Sequence, residues 1–195
     1  MKILARPPFL EKKTMDRWVV ADTHFCHDKI ILYCSRPFVS SEEMDERMVA
    51  NWNNLVKPSD EVYHLGDFAC GPKATDDRVR GIFNSLNGKK FLIEGNHDTT
   101  PKGELKDRLK GLPFEWHRKY FVLRHNGTDV HMFHWPMRTW EEATHGSIHL
   151  FGHVHGKYRG VGRSMDVGVD VQNFTPVNLD AVIARLKQVP IEQEI

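Results

Sequence analysis

Apolar and polar positions along the chain alternate between two periods, and the places where one gives way to the other mark its elements. Residues 18–21 (Trp-Val-Val-Ala) form an unbroken apolar run, the pattern of a strand buried on both faces, and the run ends at Asp22. Ser40 followed by Glu43 is a capping-box signal, and Met44, Met48, Trp52 and Leu55 then recur at helical spacing until Lys57-Pro58. This predicts a helix with its Met and Trp residues in the core. Residues 61–65 read as a second strand running into Gly66-Asp67. Val79, Ile82, Phe83 and Leu86 make one face of a second helix that stops at Asn87-Gly88, and residues 91–93 are a third strand ending in Gly95-Asn96-His97-Asp98. Three polar motifs thus follow three successive strands, where open α/β sheets place their ligands.

Beyond residue 118 strands dominate. Residues 120–123 and 130–133 flank Asn126-Gly127, a favoured hairpin turn, and the second strand delivers His134. Residues 148–151 feed Gly152-His153-Val154-His155, residues 167–169 predict another short strand, and residues 181–186 predict a last helix capped by Asn178 or Asp180. The order implies an α/β fold. No repeat or linker divides it, so a single domain over residues 1–195 is expected. Residues 1–14 carry positive charge, but Pro7 and Pro8 interrupt their apolar stretch and no cleavage site follows. They read as an N-terminal extension, with folding information beginning near Met15.

Composition narrows the class. With 195 residues, 40% hydrophobic and 27% charged, the chain fits one soluble domain. No apolar run approaches the roughly 20 residues of a spanning helix, so no membrane role is expected. A net charge of +1 gives no strong overall pull toward nucleic acid, leaving local basic patches open. Cys26, Cys34 and Cys70 are odd in number and lack a C-x-x-C pair, which points to a reducing, cytoplasmic compartment rather than disulfides or a cysteine zinc site. Nothing calls for an obligate protein partner.

The chemistry lies in the polar motifs. Asp22 and His24 are spaced i, i+2 at a strand end, which in an extended strand puts both on one face; His153 and His155 repeat the spacing. Adding Asp67, Asn96 and His134 gives four imidazoles, two carboxylates and one amide, a mixed set suited to manganese, iron, zinc or nickel rather than calcium. Seven ligands exceed one catalytic ion and suit two that share a bridge. Each piece alone is weak, since a lone histidine is usually a surface or core residue; five motifs in order, each behind a strand, are not.

D-x-H, G-D, G-N-H-D, a later single His and G-H-x-H resemble the calcineurin-like metallophosphoesterase superfamily over residues 18–180, and most closely its small, capless bacterial and phage members. The resemblance implies a β-sandwich of two mixed sheets flanked by α-helices. It implies two divalent metal ions, manganese first and iron, zinc, nickel or magnesium otherwise. One would be held by Asp22, His24, Asp67 and His155, and the other by Asp67, Asn96, His134 and His153. Two such ions can activate a shared water for in-line attack on phosphorus. His97 matches the catalytic histidine that assists the leaving group, and Asp98 could accept a hydrogen bond from it and favour the imidazolium. One departure is Phe133-His134-Trp135-Pro136, where many relatives have glycine after the histidine. Trp135 there is either a stacking wall or packing under the loop.

Other residues are weaker candidates. Arg36 and Arg138 could pair with phosphate oxygens. His27, Lys157, Tyr158 and Arg159 lie close enough in sequence to reach a substrate, with surface roles as the default; His131 falls on the opposite face of its strand from His134. The expected activity is hydrolysis of a small phosphomonoester or phosphodiester, such as a nucleotide or nucleic-acid fragment. The rivals are a protein phosphatase, a nuclease, or an inactive scaffold for protein assembly. A nuclease would show a basic track, and the lysines and arginines from Lys102 to Arg124 are interrupted by Glu104, Asp107 and Glu115.

Overall fold

The computed structural model describes residues 15–191, so the expectation for residues 1–14 lies outside the described residues. Nine strands form two mixed sheets. The first has order β4-β3-β2-β1-β9, with β1 (Arg17–Val20), β2 (Glu61–His64), β3 (Lys89–Ile93) and β4 (His117–Arg118) parallel and β9 (Val177–Asn178) antiparallel at the edge. The second has order β5-β6-β7-β8, from β5 (Tyr120–His125), β6 (Thr128–Phe133), β7 (Ile148–Phe151) and β8 (Ser164–Asp166). β5 and β6 pair antiparallel across Asn126-Gly127, both at positive φ (47° and 77°), as a two-residue hairpin demands.

Side-chain alternation sorts the core into two layers. Val19, Ala21, Tyr63 and Leu65 face the second sheet and meet Val130, Met132, Ile148 and Leu150, with Leu179, Val182, Ile183 and Leu186 of α5 (Leu179–Leu186) closing that layer. Val20 and Val62 face the other way. There they pack under α1 (Asp28–Tyr33), α2 (Ser41–Leu55), α3 (Asp76–Ser85) and α4 (Asp107–Lys110), against Met44, Met48, Trp52, Val79 and Phe83. Both faces of β1 are therefore dry at Val19 and Val20, which is why the run from Trp18 to Ala21 is unbroken and apolar.

The helix α2 begins as read: the Ser40 side chain accepts from the Glu43 N–H, while Glu43 caps the Val39 N–H rather than that of Ser40. Met44, Met48 and Trp52 are buried as expected, while Leu55 is 40% exposed at the helix end. Asn178, not Asp180, caps α5 through the Ala181 N–H. The short helices α1 and α4 have too few periodic positions to declare themselves in sequence.

Residues 167–169 are not a strand of their own. β8 ends at Asp166 and a 3₁₀ turn covers Val169–Val171. Between them the chain crosses from one sheet to the other. Val167 N–H donates to Phe151 O of the second sheet, and Ala21 N–H donates to Val167 O from the first, at 2.9 and 3.1 Å. The sheets are stitched together at the end where β1, β2, β3, β6 and β7 release their polar motifs.

Candidate metal centre

Three of the five motifs leave their strands by turns into left-handed backbone. Asp22, His24, Asp67, His153 and His155 have φ of 57°, 48°, 58°, 71° and 48°. Such conformations cost a non-glycine residue about 1 kcal/mol or more and persist where the surroundings enforce them. The i, i+2 spacing thus works differently from the strand geometry expected: the strands end before the first polar residue, and alternate left-handed residues bring the side chains to one side. Asp22 N–H donates to Gly66 O at 3.0 Å, His24 N–H to Asp67 O at 2.9 Å, and His153 N–H to Asp22 Oδ2 at 2.8 Å, so the turns brace one another. Two glycines let them approach. A Cβ on Gly95 would lie 2.3 Å from Asp67 Oδ1, and one on Gly66 would lie 2.6 Å from His134 Nδ1.

The converging side chains form two groups whose donor atoms lie within 4.8 Å of one another: Asp22, His24 and His155, and Asp67, His134 and His153. Asp67 joins them. Its Oδ2 is 3.5 Å from His24 Nε2 and also 3.5 Å from His134 Nε2, while its Oδ1 accepts from the His97 N–H at 2.7 Å. Asn96 Oδ1 lies 3.1 Å from His134 Nε2 and 2.9 Å from His153 Nδ1. His134 Nδ1 sits 2.7 Å from Leu65 O and His155 Nδ1 2.7 Å from Asp170 Oδ2, contacts that direct each ring's Nε2 toward the centre.

Electrostatically the group is in conflict as it stands. Burial pushes the Asp22 carboxyl up to about 7 and holds His24 well below the ordinary histidine value. Burial opposes charge on Asp67 and His134 too. There the mutual hydrogen bond and attraction win, holding Asp67 below the carboxylate range and raising His134 to about 9. Asp22 Oδ1 and both ring nitrogens of His24 are buried without hydrogen-bond partners. Orphaned polar atoms among closely packed imidazoles and carboxylates are what a divalent cation resolves, so the donor set fits metal.

The sequence profile of the calcineurin-like phosphoesterase family matches residues 15–157. The chain belongs to that family. It is thus a divalent-metal-dependent hydrolase of phosphoric ester bonds. Uncharacterized protein MJ1445 of Methanocaldococcus jannaschii is similar to it, 32% identical over 178 residues, covering 88% of this chain and 91% of its own. Gene 66 protein of Mycobacterium phage L5 is 26% identical, covering 71% of this chain and 76% of its own. The fold is shared with a protein of unknown function, AQ665 from Aquifex aeolicus, whose crystal structure superposes with a TM-score of 0.69 at 22% identity, over 89% of this chain and 100% of that one.

Several residues around the phosphoesterase centre behave differently from their sequence expectation. Asp98 does not touch the His97 ring. Its Oδ2 accepts from the Asp67 and Gly95 N–H groups at 2.7 and 2.8 Å, and its Oδ1 from Phe68 N–H at 3.0 Å. It clamps two motif loops together. The His97 ring instead meets Cys70, Nδ1 to Sγ at 3.2 Å, and burial lowers its pKa rather than favouring the imidazolium. Arg36 is buried and committed: Nε and Nη2 donate to the two oxygens of Asp170 at 2.8 Å each, and Nη1 and Nη2 donate to Thr23 O and Asp22 O. It therefore braces the centre and has no guanidinium face left for phosphate.

Asp170, which sequence reading missed, ties that brace to His155. Asp170 follows directly on Val167-Gly168-Val169, the run expected to be a strand. Cys70 was also passed over, because a single cysteine carries no spacing to interpret. His27 is buried rather than on the surface, its ring 5.4 Å from His24 and 6.3 Å from His97. Trp135 stands edge-on to His134 at 4.8 Å and 5.8 Å from His153, half-buried beside the centre. Arg138, Lys157, Tyr158 and Arg159 are exposed on the loops after His134 and His155. His131 is buried against the Tyr120 hydroxyl, away from the centre.

Proposed function

We propose that the chain is a dinuclear phosphoesterase that cleaves a small phosphodiester or phosphomonoester. Asp22, His24, Asp67 and His155 hold one cation, and Asp67, Asn96, His134 and His153 the other. The observation that carries the reading is the position of Asp67 Oδ2, 3.5 Å from one histidine of each group. Two divalent cations, with manganese the first candidate, would lower the pKa of a water and offset the charge on the phosphate oxygens.

The chain's own part is positioning and proton handling. His97 is assigned to the leaving-group oxygen. Burial raises the Cys70 pKa, so its thiol keeps its proton and can donate it to His97 Nδ1. That contact puts the ring proton on Nε2, where a neutral imidazole donates to a developing alkoxide. Trp135 offers an aromatic wall beside His134 and His153 for a base or sugar. The two sheets and their helices account for the described residues without a further cap domain, which supports a small, open-site substrate.

The test combines metal analysis with turnover of 4-nitrophenyl phosphate, bis(4-nitrophenyl) phosphate, a cyclic nucleotide and a dinucleotide, in Mn²⁺, Mg²⁺, Zn²⁺ or Ni²⁺. Turnover should require metal, and the loaded protein should hold two ions. Asp67→Ala should lose both ions and at least about a hundredfold in kcat. A single equivalent at saturating Mn²⁺, or Asp67→Ala retaining both ions, would overturn the dinuclear reading.

A further inference from the structure

Beside His97 the loop after Asp98 and the start of α3 enclose a cleft of about 290 Å³ that the reaction so far does not use. Ala74, Asp76, Thr100, Lys106, Asp107 and Arg108 line it. Its cations are only partly satisfied. Arg108 donates from Nη2 to His97 O at 3.3 Å, but its Nε is buried with no acceptor, and Thr100 Oγ1 is likewise buried and unpaired. Lys106 forms no ion pair among the described residues. Of the two lining carboxylates, Asp107 is already held by Lys110 Nζ at 3.1 Å, leaving Asp76 in the first turn of α3.

Buried donors without acceptors are costly, and two of them belong to residues lining this one cleft. The guanidinium, hydroxyl and ammonium side chains that line this one cleft match in chemistry the oxygens of a phosphate group. The cleft is coupled to the reaction through His97, whose carbonyl Arg108 holds. Lys106 and Arg108 belong to the basic run from Lys102 to Arg124, whose interrupting acids gave no clear track in sequence.

We propose that this cleft binds a second phosphate carried by the leaving group, so that the substrate is a phosphorylated nucleotide or short oligonucleotide ester. The proposal rests on the phosphoesterase reading with His97 at the leaving group. It extends that reading by fixing which end of the substrate is anionic.

The test uses the metal-loaded full chain and three substrates: thymidylyl-thymidine, and the same dinucleotide with a terminal phosphate at its 5′ or its 3′ end. One terminal phosphate should raise kcat/KM by about tenfold, mainly through KM, as expected for one charge-assisted contact. Lys106→Ala should bring that preference to within about twofold, and Lys106→Glu should reverse it. Calorimetric binding of thymidine 3′,5′-bisphosphate against thymidine 5′-monophosphate gives a readout independent of turnover, and its advantage should vanish in Lys106→Ala. Equal kcat/KM for all three dinucleotides, or a preference unchanged by both Lys106 substitutions, would overturn the second-phosphate site while leaving the phosphoesterase standing. If no dinucleotide is cleaved, equal binding of the two thymidine phosphates would overturn the cleft, while the phosphoesterase reading itself falls only if the nitrophenyl and cyclic substrates also go unhydrolysed.

Discussion

At the scale of single residues, the centre depends on side chains that never meet a substrate. Cys70 is the sharpest case: its sulfur lies 3.2 Å from His97 Nδ1, and in the proposed reading its thiol sets which ring nitrogen carries the proton. Cys70→Ala should lower kcat several-fold with KM nearly unchanged, and Cys70→Ser, which keeps a donor, should restore most of it; a uniform loss in both variants would mark Cys70 as packing only. Asp98 acts on stability instead. Asp98→Asn turns an amide NH₂ toward N–H groups that the carboxylate accepted, and should cost about 3 kcal/mol in urea unfolding. The motif residues were legible because they are consecutive and follow apolar runs. Asp170, Cys70 and the true partners of Asp98 and Arg36 were not, since those contacts join residues far apart in sequence, 134 positions in the case of Arg36 and Asp170.

At the scale of elements, legibility followed period and length. The helices α2 and α3 carry an apolar stripe over 15 and 10 residues and were read from it, whereas α1 and α4, at 6 and 4 residues, complete too few turns to show one. Strand faces were read from alternation and the hairpin from Asn126-Gly127. The crossing at residues 167–169 was misread, because two valines around a glycine look like a strand whether they extend one sheet or join two. The Ser40 cap offers a check on how far a local signal matters here. Its side chain satisfies the Glu43 N–H, so Ser40→Ala should cost about 1 kcal/mol, read as a shift in urea midpoint at constant slope. A loss near zero would mean that Glu43 and packing of Met44 hold the helix start unaided.

For the molecule as a whole, the way the second sheet is closed predicts how stability responds to acid. His149 lies in β7, buried between Trp140 and Phe151, with ring centroids 5.4 Å from each. Its Nδ1 lies 3.1 Å from His131 O, and its Nε2 accepts from Met137 N–H at 3.1 Å. Only the neutral ring with its proton on Nδ1 makes both contacts, and burial lowers the pKa to about 4. A folded pKa below the unfolded one means that the unfolded chain takes up the proton first. The stabilisation is therefore fully present above about pH 6.5 and is lost as pH falls toward 4. The gap amounts to about 3 kcal/mol, of which about 2 should go between pH 7 and pH 5. His149→Gln, with no proton to gain in that range, should begin less stable at pH 7 for want of ring packing, and should lose about 2 kcal/mol less than the parent on going to pH 5. Parallel losses in the two proteins, measured by urea unfolding after metal removal, would place the acid sensitivity elsewhere, on His64, whose burial also lowers its pKa, to about 3.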